Sequence, residues 1–178
     1  MEQLTDALRH EQSLLERMLF KLVETRLLLG AGEVRFLADS AREAAQARRR
    51  ACNADLGRAA IVGCLRPRGR HARTPTLREL AADAPEPWAR MLRDHHDALT
   101  SLVGQIEVAA HHNARFAHQG LAQVAQRLPT AERTLEQSAA RSAEDDPTLS
   151  LVADDSAYRS VLGAADSLRM PALLAFLL

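Results

Sequence analysis

Leu8, Leu15, Leu22 and Leu29 stand seven residues apart, and Leu4 and Met18 fill intervening turns. Apolar residues at heptad spacing line one face of a helix, which predicts a first helix over residues 3–29. Leu14, Leu19, Phe20, Val23, Leu27 and Leu28 widen the stripe beyond one seam. A two-stranded coiled coil needs only a narrow stripe, so this helix is expected to touch more than one neighbour. Gly30-Ala31-Gly32 breaks the pattern and predicts a reversal.

A second helix is predicted over residues 33–65, with Val34, Leu37 or Ala38, Ala41, Ala45, Cys52, Leu56, Ala59 and Val62 facing inward and Phe36 beside them. Alanine allows helix axes to approach closely but supplies little burial energy per residue. Pro67 stops this helix, and residues 66–75 read as a basic loop. Thr76 and Glu79 have capping-box spacing and open a short helix, TLRELAADA. Pro85 and Pro87 are tolerable within a first helical turn. The longest pattern runs through Trp88, Leu92, His95, Leu99, Leu102, Ile106, Ala109, Asn113, Phe116, Gly120, Val124 and Leu128 in steps of three and four. It predicts about 60 Å of helix. Pro129 should end it, with a thin helix over residues 130–141. Residues 142–156 are short, polar and acidic and read as a flexible linker. Apolar residues return in 157–178, and no tandem repeat is visible.

These elements predict an all-α protein: an elongated antiparallel bundle of three long helices, short accessory helices and a C-terminal apolar helical tail. The expected division is a bundle over residues 1–141, a linker over 142–156 and a partner-binding tail over 157–178. A length of 178 residues fits a single bundle domain. Aromatic residues are only 3% of the chain, too few for a deep aromatic-lined pocket.

Charge and chemistry then remove several function classes. Lys+Arg and Asp+Glu each number 23, and this neutral balance argues against a nucleic-acid binder. Arg48-Arg49-Arg50 and Arg66, Arg68, Arg70 and Arg73 lack interleaved aromatics and read as a solvated face and a loop. On one helix Cys52 and Cys64 would stand roughly 18 Å apart, beyond disulfide reach, and unpaired thiols suit a reducing cytosol. The charged start MEQLTDALRHEQ does not read as a signal peptide, and the apolar runs are too short to span a bilayer. A cytoplasmic location without membrane insertion is expected.

No nucleophile elbow, phosphate loop, dinucleotide fingerprint or zinc-ligand spacing occurs, so no enzyme activity and no cofactor are expected. Five of the seven histidines (His95, His96, His111, His112 and His118) lie on one predicted helix. A metal site in a bundle needs ligands converging from several helices, so none is expected. His95 and Asn113 lie on the apolar stripe, where hydrogen bonding or register setting is the expected role. The tail PALLAFLL is too short to fold alone and too apolar to lie comfortably in water. Either it docks on its own bundle or it orders on a partner, and a weakly docked tail could do both. Tyr158, the chain's one tyrosine, suits packing or an interface equally.

The stretch EQSLLERMLFKLVETRLLLGAGEVRFLADSAREAAQA resembles the N-terminal half of FlgN-type flagellar export chaperones, particularly actinobacterial forms. TLRELAADAPEPWARMLRDHHDALTSLVGQIEVAAHHNARFAHQGLAQV is similar to their third helix, with Asn113, Gly120 and Leu121 resembling the family's Asn and later Gly-Leu pair. PALLAFLL is similar to the termini of some members. The resemblance covers residues 4–128, with a looser echo at the tail. It implies a chaperone whose partners are the hook-associated proteins of the hook-filament junction (FlgK and FlgL type) and the flagellar type III export gate. Cargo binding would map onto residues 149–178. The implied partner-binding residues are Leu149, Leu151, Tyr158, Val161, Leu162, Leu168, Met170, Leu173, Leu174, Phe176 and Leu177. A tyrosine of this region contacts the gate in such chaperones. Many members carry a glycine soon after it, whereas here the first glycine after Tyr158 is Gly163. The competing expectation is a non-enzymatic coiled-coil adaptor or structural protein that self-associates, for instance as a homodimer, with its tail sealing its own bundle.

Overall fold

Every regular element of the chain is helical, and no strand occurs among the described residues. The computed structural model describes residues 1–64, 74–137, 147–166 and 170–178. The order is α1 (Glu2–Ala31), a 3-10 turn (Val34–Phe36), α2 (Leu37–Cys64), α3 (Leu77–Asp83), α4 (Trp88–Gln137), α5 (Pro147–Asp166) and α6 (Pro171–Leu177).

Local chemistry explains the boundaries. At the end of α1, Glu33 N–H bonds the Leu28 carbonyl at 3.0 Å and Gly32 N–H bonds that of Leu29 at 3.3 Å. This pair of bonds is a Schellman cap, which needs a left-handed residue; Gly32 supplies it with φ 70. The helix thus runs through Gly30 and stops at the second glycine. The capping box at α3 forms as its spacing predicts: Thr76 Oγ1 accepts from Glu79 N–H, and Glu79 Oε2 accepts from Thr76 N–H at 2.8 Å. Pro67 and most of the basic loop lie outside the described residues, as does the 142–146 part of the expected linker. Residues 147–156 form the first half of α5.

Three sequence expectations need correction. Pro129 does not end α4, which continues through it to Gln137. A mid-helix proline forfeits one backbone hydrogen bond, at about 3 kcal/mol or more when nothing compensates. Here the carbonyl four residues back belongs to exposed Ala125, where water can satisfy it. On α2 the buried face is Leu37, Ala41, Ala44, Ala51, Asp55, Arg58 and Val62, while Leu56 is 68% exposed. Ranking positions by hydrophobicity chose Leu56 and Ala59 over a charged pair on the same heptad as Leu37 and Ala41. On α4, His96 and Ala117 are buried in place of the expected His95 and Phe116, one residue further along the same seam.

Close contacts group the chain into two compact units. The first comprises Met1–Phe20, Gln46–Val108 and Leu168–Leu178. Its core joins Leu8, Leu15 and Met18 of α1 to Val62 of α2, Leu77 of α3, and Leu92, Leu99 and Ile106 of α4. The second comprises Lys21–Ala45 and Ala109–Ser167. There Thr25 shares a 2.6 Å hydroxyl hydrogen bond with Ser40, and Lys21 pairs with Glu43, so α1 and α2 run in opposite senses. Asn113 of α4 donates its amide to the Leu22 carbonyl of α1 at 2.9 Å, with its side chain buried. This is the register-setting bond expected of a polar residue on an apolar seam.

Replacing Asn113 with Ala removes that bond and leaves a small void. It is expected to lower stability by about 1–2 kcal/mol in urea unfolding; an unchanged midpoint would show that the bond contributes nothing net.

Candidate partner-binding site

The residues implicated in partner binding fall in both units. In the second unit, Ala157 and Val161 of α5 are buried with Leu37 and Ala41 of α2 and Ala117 of α4. Tyr158 and Leu162 pack against this cluster and are half-buried. Tyr158 has a made-to-measure seat: its ring lies over Gly120 of α4, where even a methyl group would overlap it. Burial first, then the nearby Asp154 carboxylate, push the Tyr158 hydroxyl pKa above its ordinary value, with Arg127 opposing. The face of α5 turned to solvent carries Leu149, 63% exposed, and Val152, with Leu151 half-buried beside them.

In the first unit, α6 is docked. Met170, Leu173, Phe176 and Leu177 are buried and Leu174 is half-buried. Leu168 lies outside the described residues. Two polar contacts orient the helix. The Phe176 ring stacks on the Arg58 guanidinium, 3.7 Å from ring centroid to Cζ. The Leu177 carbonyl, one of the orphan acceptors at a helix C-terminus, lies 3.2 Å from His96 Nε2.

Beneath Phe176 sits a cluster of charges inside the unit. Arg58 is 2% exposed and donates from Nε to Glu11 Oε2 at 2.8 Å and from Nη2 to Asp55 Oδ1. Glu11 is fully buried and its Oε1 has no hydrogen-bond partner among the described residues. Burial raises the Glu11 pKa and Asp55 adds to the rise, outweighing the attraction of Arg58. Two carboxylates around one guanidinium leave an excess of negative charge, and a proton on Glu11 relieves it. An aromatic ring over Arg58 shields the free guanidinium face from water.

Glu11, Asp55 and Arg58 are not singled out by the sequence, and His96 only as one of five histidines on one helix, yet a signal is present. Glu11 falls on the exact 4-3 rhythm of Leu4, Leu8, Leu15 and Met18, and Asp55 and Arg58 fall on that of Leu37, Ala41, Ala44 and Ala51. A charge on an otherwise apolar seam calls for an opposite charge on the facing seam. Among the described residues no group of three or more His, Cys, Asp or Glu side chains could hold a metal. Cys52 and Cys64 are free thiols. No helix of the described residues is long and apolar enough to cross a membrane. The arrangement therefore offers apolar helical surface with a few fixed polar contacts, the chemistry of recognising another helix.

Two measurements probe the site. Because the folded chain holds the Glu11 proton more tightly than the unfolded chain, the stability from this group is full below the ordinary carboxylate value and falls as pH rises through the raised one. Glu11→Gln should therefore flatten the decline of melting temperature from about pH 4.5 towards neutrality; a slope equal to the parent's would contradict this. Gly120→Ala should unseat Tyr158, shifting the absorbance of the single tyrosine towards that of a solvated phenol, and should cost about 1–3 kcal/mol through overpacking.

The family model described as FlgN protein matches residues 1–152, covering α1 to α4 and the first residues of α5. No curated protein and no solved structure matches the chain. A match over most of the chain, on an all-helical frame whose Asn113 and Gly120 make the contacts described above, places this protein in the FlgN family of flagellar export chaperones.

Proposed function

We propose that the protein is a cytosolic export chaperone that binds the hook-associated proteins of the hook-filament junction and delivers them to the flagellar type III export apparatus. The family match over residues 1–152 carries this reading. In it the three long helices form an antiparallel scaffold, and the partner-binding residues are those of α5 and α6 from Leu149 to Leu177. Two features support the assignment. Leu149 and Val152 leave an apolar strip on α5 open to solvent. The seven residues of α6 present an apolar face that needs a helical surface to rest on. A cargo subunit whose terminal helix exposes an apolar stripe would be covered by such elements, with no cofactor and no covalent step. Tyr158 is the candidate contact for the export gate, and its seat on Gly120 holds it in a defined place until it is needed.

A self-associating adaptor is the second reading. Leu27 of α1 is mostly exposed and would suit contact with a like chain.

Calorimetric titration of the full-length chain with a purified hook-associated protein separates the two. The chaperone reading expects a one-to-one complex, weakened at least tenfold by replacing Leu149 and Val152 with Ser. Absence of binding together with a homo-oligomer by light scattering would establish the adaptor reading instead.

A further inference from the structure

The groove under α6 has features that α6 alone does not require. Arg58 is fixed from behind by Glu11 and Asp55, so its flat guanidinium face is presented to any aromatic ring laid across it. His96 Nε2 stands 3.2 Å from the last-turn carbonyl of Leu177 and 3.1 Å from Arg78 Nε. One ring nitrogen can donate to the carbonyl or accept from the guanidinium, not both: with the proton on Nδ1, donated to the Asp97 carboxylate at 3.0 Å, Nε2 accepts from Arg78, and with the proton on Nε2 it donates to Leu177. It therefore has a partner whether α6 is present or absent, and departure of α6 leaves no orphaned group at His96. Arg78, Arg93, His96 and Asp97 line a cleft of about 330 Å³ on the same unit, where the Arg78 guanidinium complements the negative end of a helix dipole.

We propose that this groove is a receptor for the C-terminal turn of an apolar helix and that α6 is its resident self-ligand, exchanged for a foreign helix end. The occupant is defined by what the groove reads. It carries an aromatic ring in its last turn to cover Arg58, an aliphatic residue three positions earlier in the place of Leu173, and a free last-turn carbonyl for His96. This deepens the chaperone reading by naming a receptor on the scaffold itself, in addition to the tail. Tethering gives α6 a local concentration on the order of millimolar, so an incoming helix must bring more contacts or arrive when α6 is loosened.

The test uses a fluorescein-labelled peptide with the sequence of residues 170–178, preceded by two solubilising Ala/Lys/Glu helical turns, and reads anisotropy on the full-length chain. The variant carrying Leu173→Ala and Phe176→Ala is expected to bind it at least tenfold more tightly than the parent chain. A peptide with alanine at the place of Phe176 should lose at least tenfold on that variant. Equal binding to both chains, or indifference to the ring, would overturn the proposal. Hydrogen exchange on the parent chain covers the case in which the variant does not fold: saturating peptide should speed exchange in residues 173–178, and unchanged protection would equally overturn it. No cargo protein is used, so failure here stands apart from failure of the chaperone reading.

Discussion

Burying a guanidinium takes a charge out of water at a cost of several kcal/mol even after relaxation, so everything around Arg58 must answer that cost. Glu11 reaches it from α1, Asp55 from one turn earlier on α2, and Phe176 closes it from α6. Asp55 belongs to the same helix as Arg58, so it is the contacts from Glu11 of α1 and Phe176 of α6 that work in one register only. Sliding α1 by a turn against α2 would separate Glu11 from Arg58 and leave the Glu11 carboxyl buried without its guanidinium. The cluster therefore acts less as a source of stability than as a specification of how the first unit assembles, a role Asn113 performs more cheaply in the second.

The same cluster decides whether α6 stays down. Burying Met170, Leu173, Phe176 and Leu177 is worth about 6–12 kcal/mol at about 1.5–3 kcal/mol each, and ordering the eight residues 170–177 costs about 12 kcal/mol at about 1.5 kcal/mol each. The two nearly cancel. What remains is set by the stack of Phe176 on Arg58 and the bond of Leu177 to His96. A tail held by such a margin rests on its own scaffold, the docked one of the two fates left open by its sequence.

Much of the frame was legible from periodicity. The α1 stripe, the glycine stop after it, the capping box at Thr76 and the α4 seam all follow from local rules that tertiary contacts did not override. The misreadings have separate causes. At Leu56 hydrophobicity favours a position off the seam, whereas burial follows the seam even where it is charged. At His95 steps of three and four fit either of two neighbouring residues, and at Pro129 the helix continues along an exposed face. At the candidate site the apolar tail residues stood out, but their docking surface did not. A groove built from Glu11, Arg58 and His96 appears only when three distant segments meet.

The contrast between α5 and α6 carries the functional argument further than the family match does, because that match stops at residue 152, before Tyr158 and all of α6. Helix α5 is held by shape: Ala157 and Val161 fill a small-residue core, and Tyr158 fits a place that only glycine leaves empty. Helix α6 is held by one stacked ring, one shared ring nitrogen and a modest apolar area. Shape complementarity in a packed core resists gradual loosening, whereas a seven-residue helix draws little stability from its own backbone and depends on those few contacts. The two segments are thus held by different means, α5 by a close-packed seat and α6 by a few polar contacts over a modest apolar area.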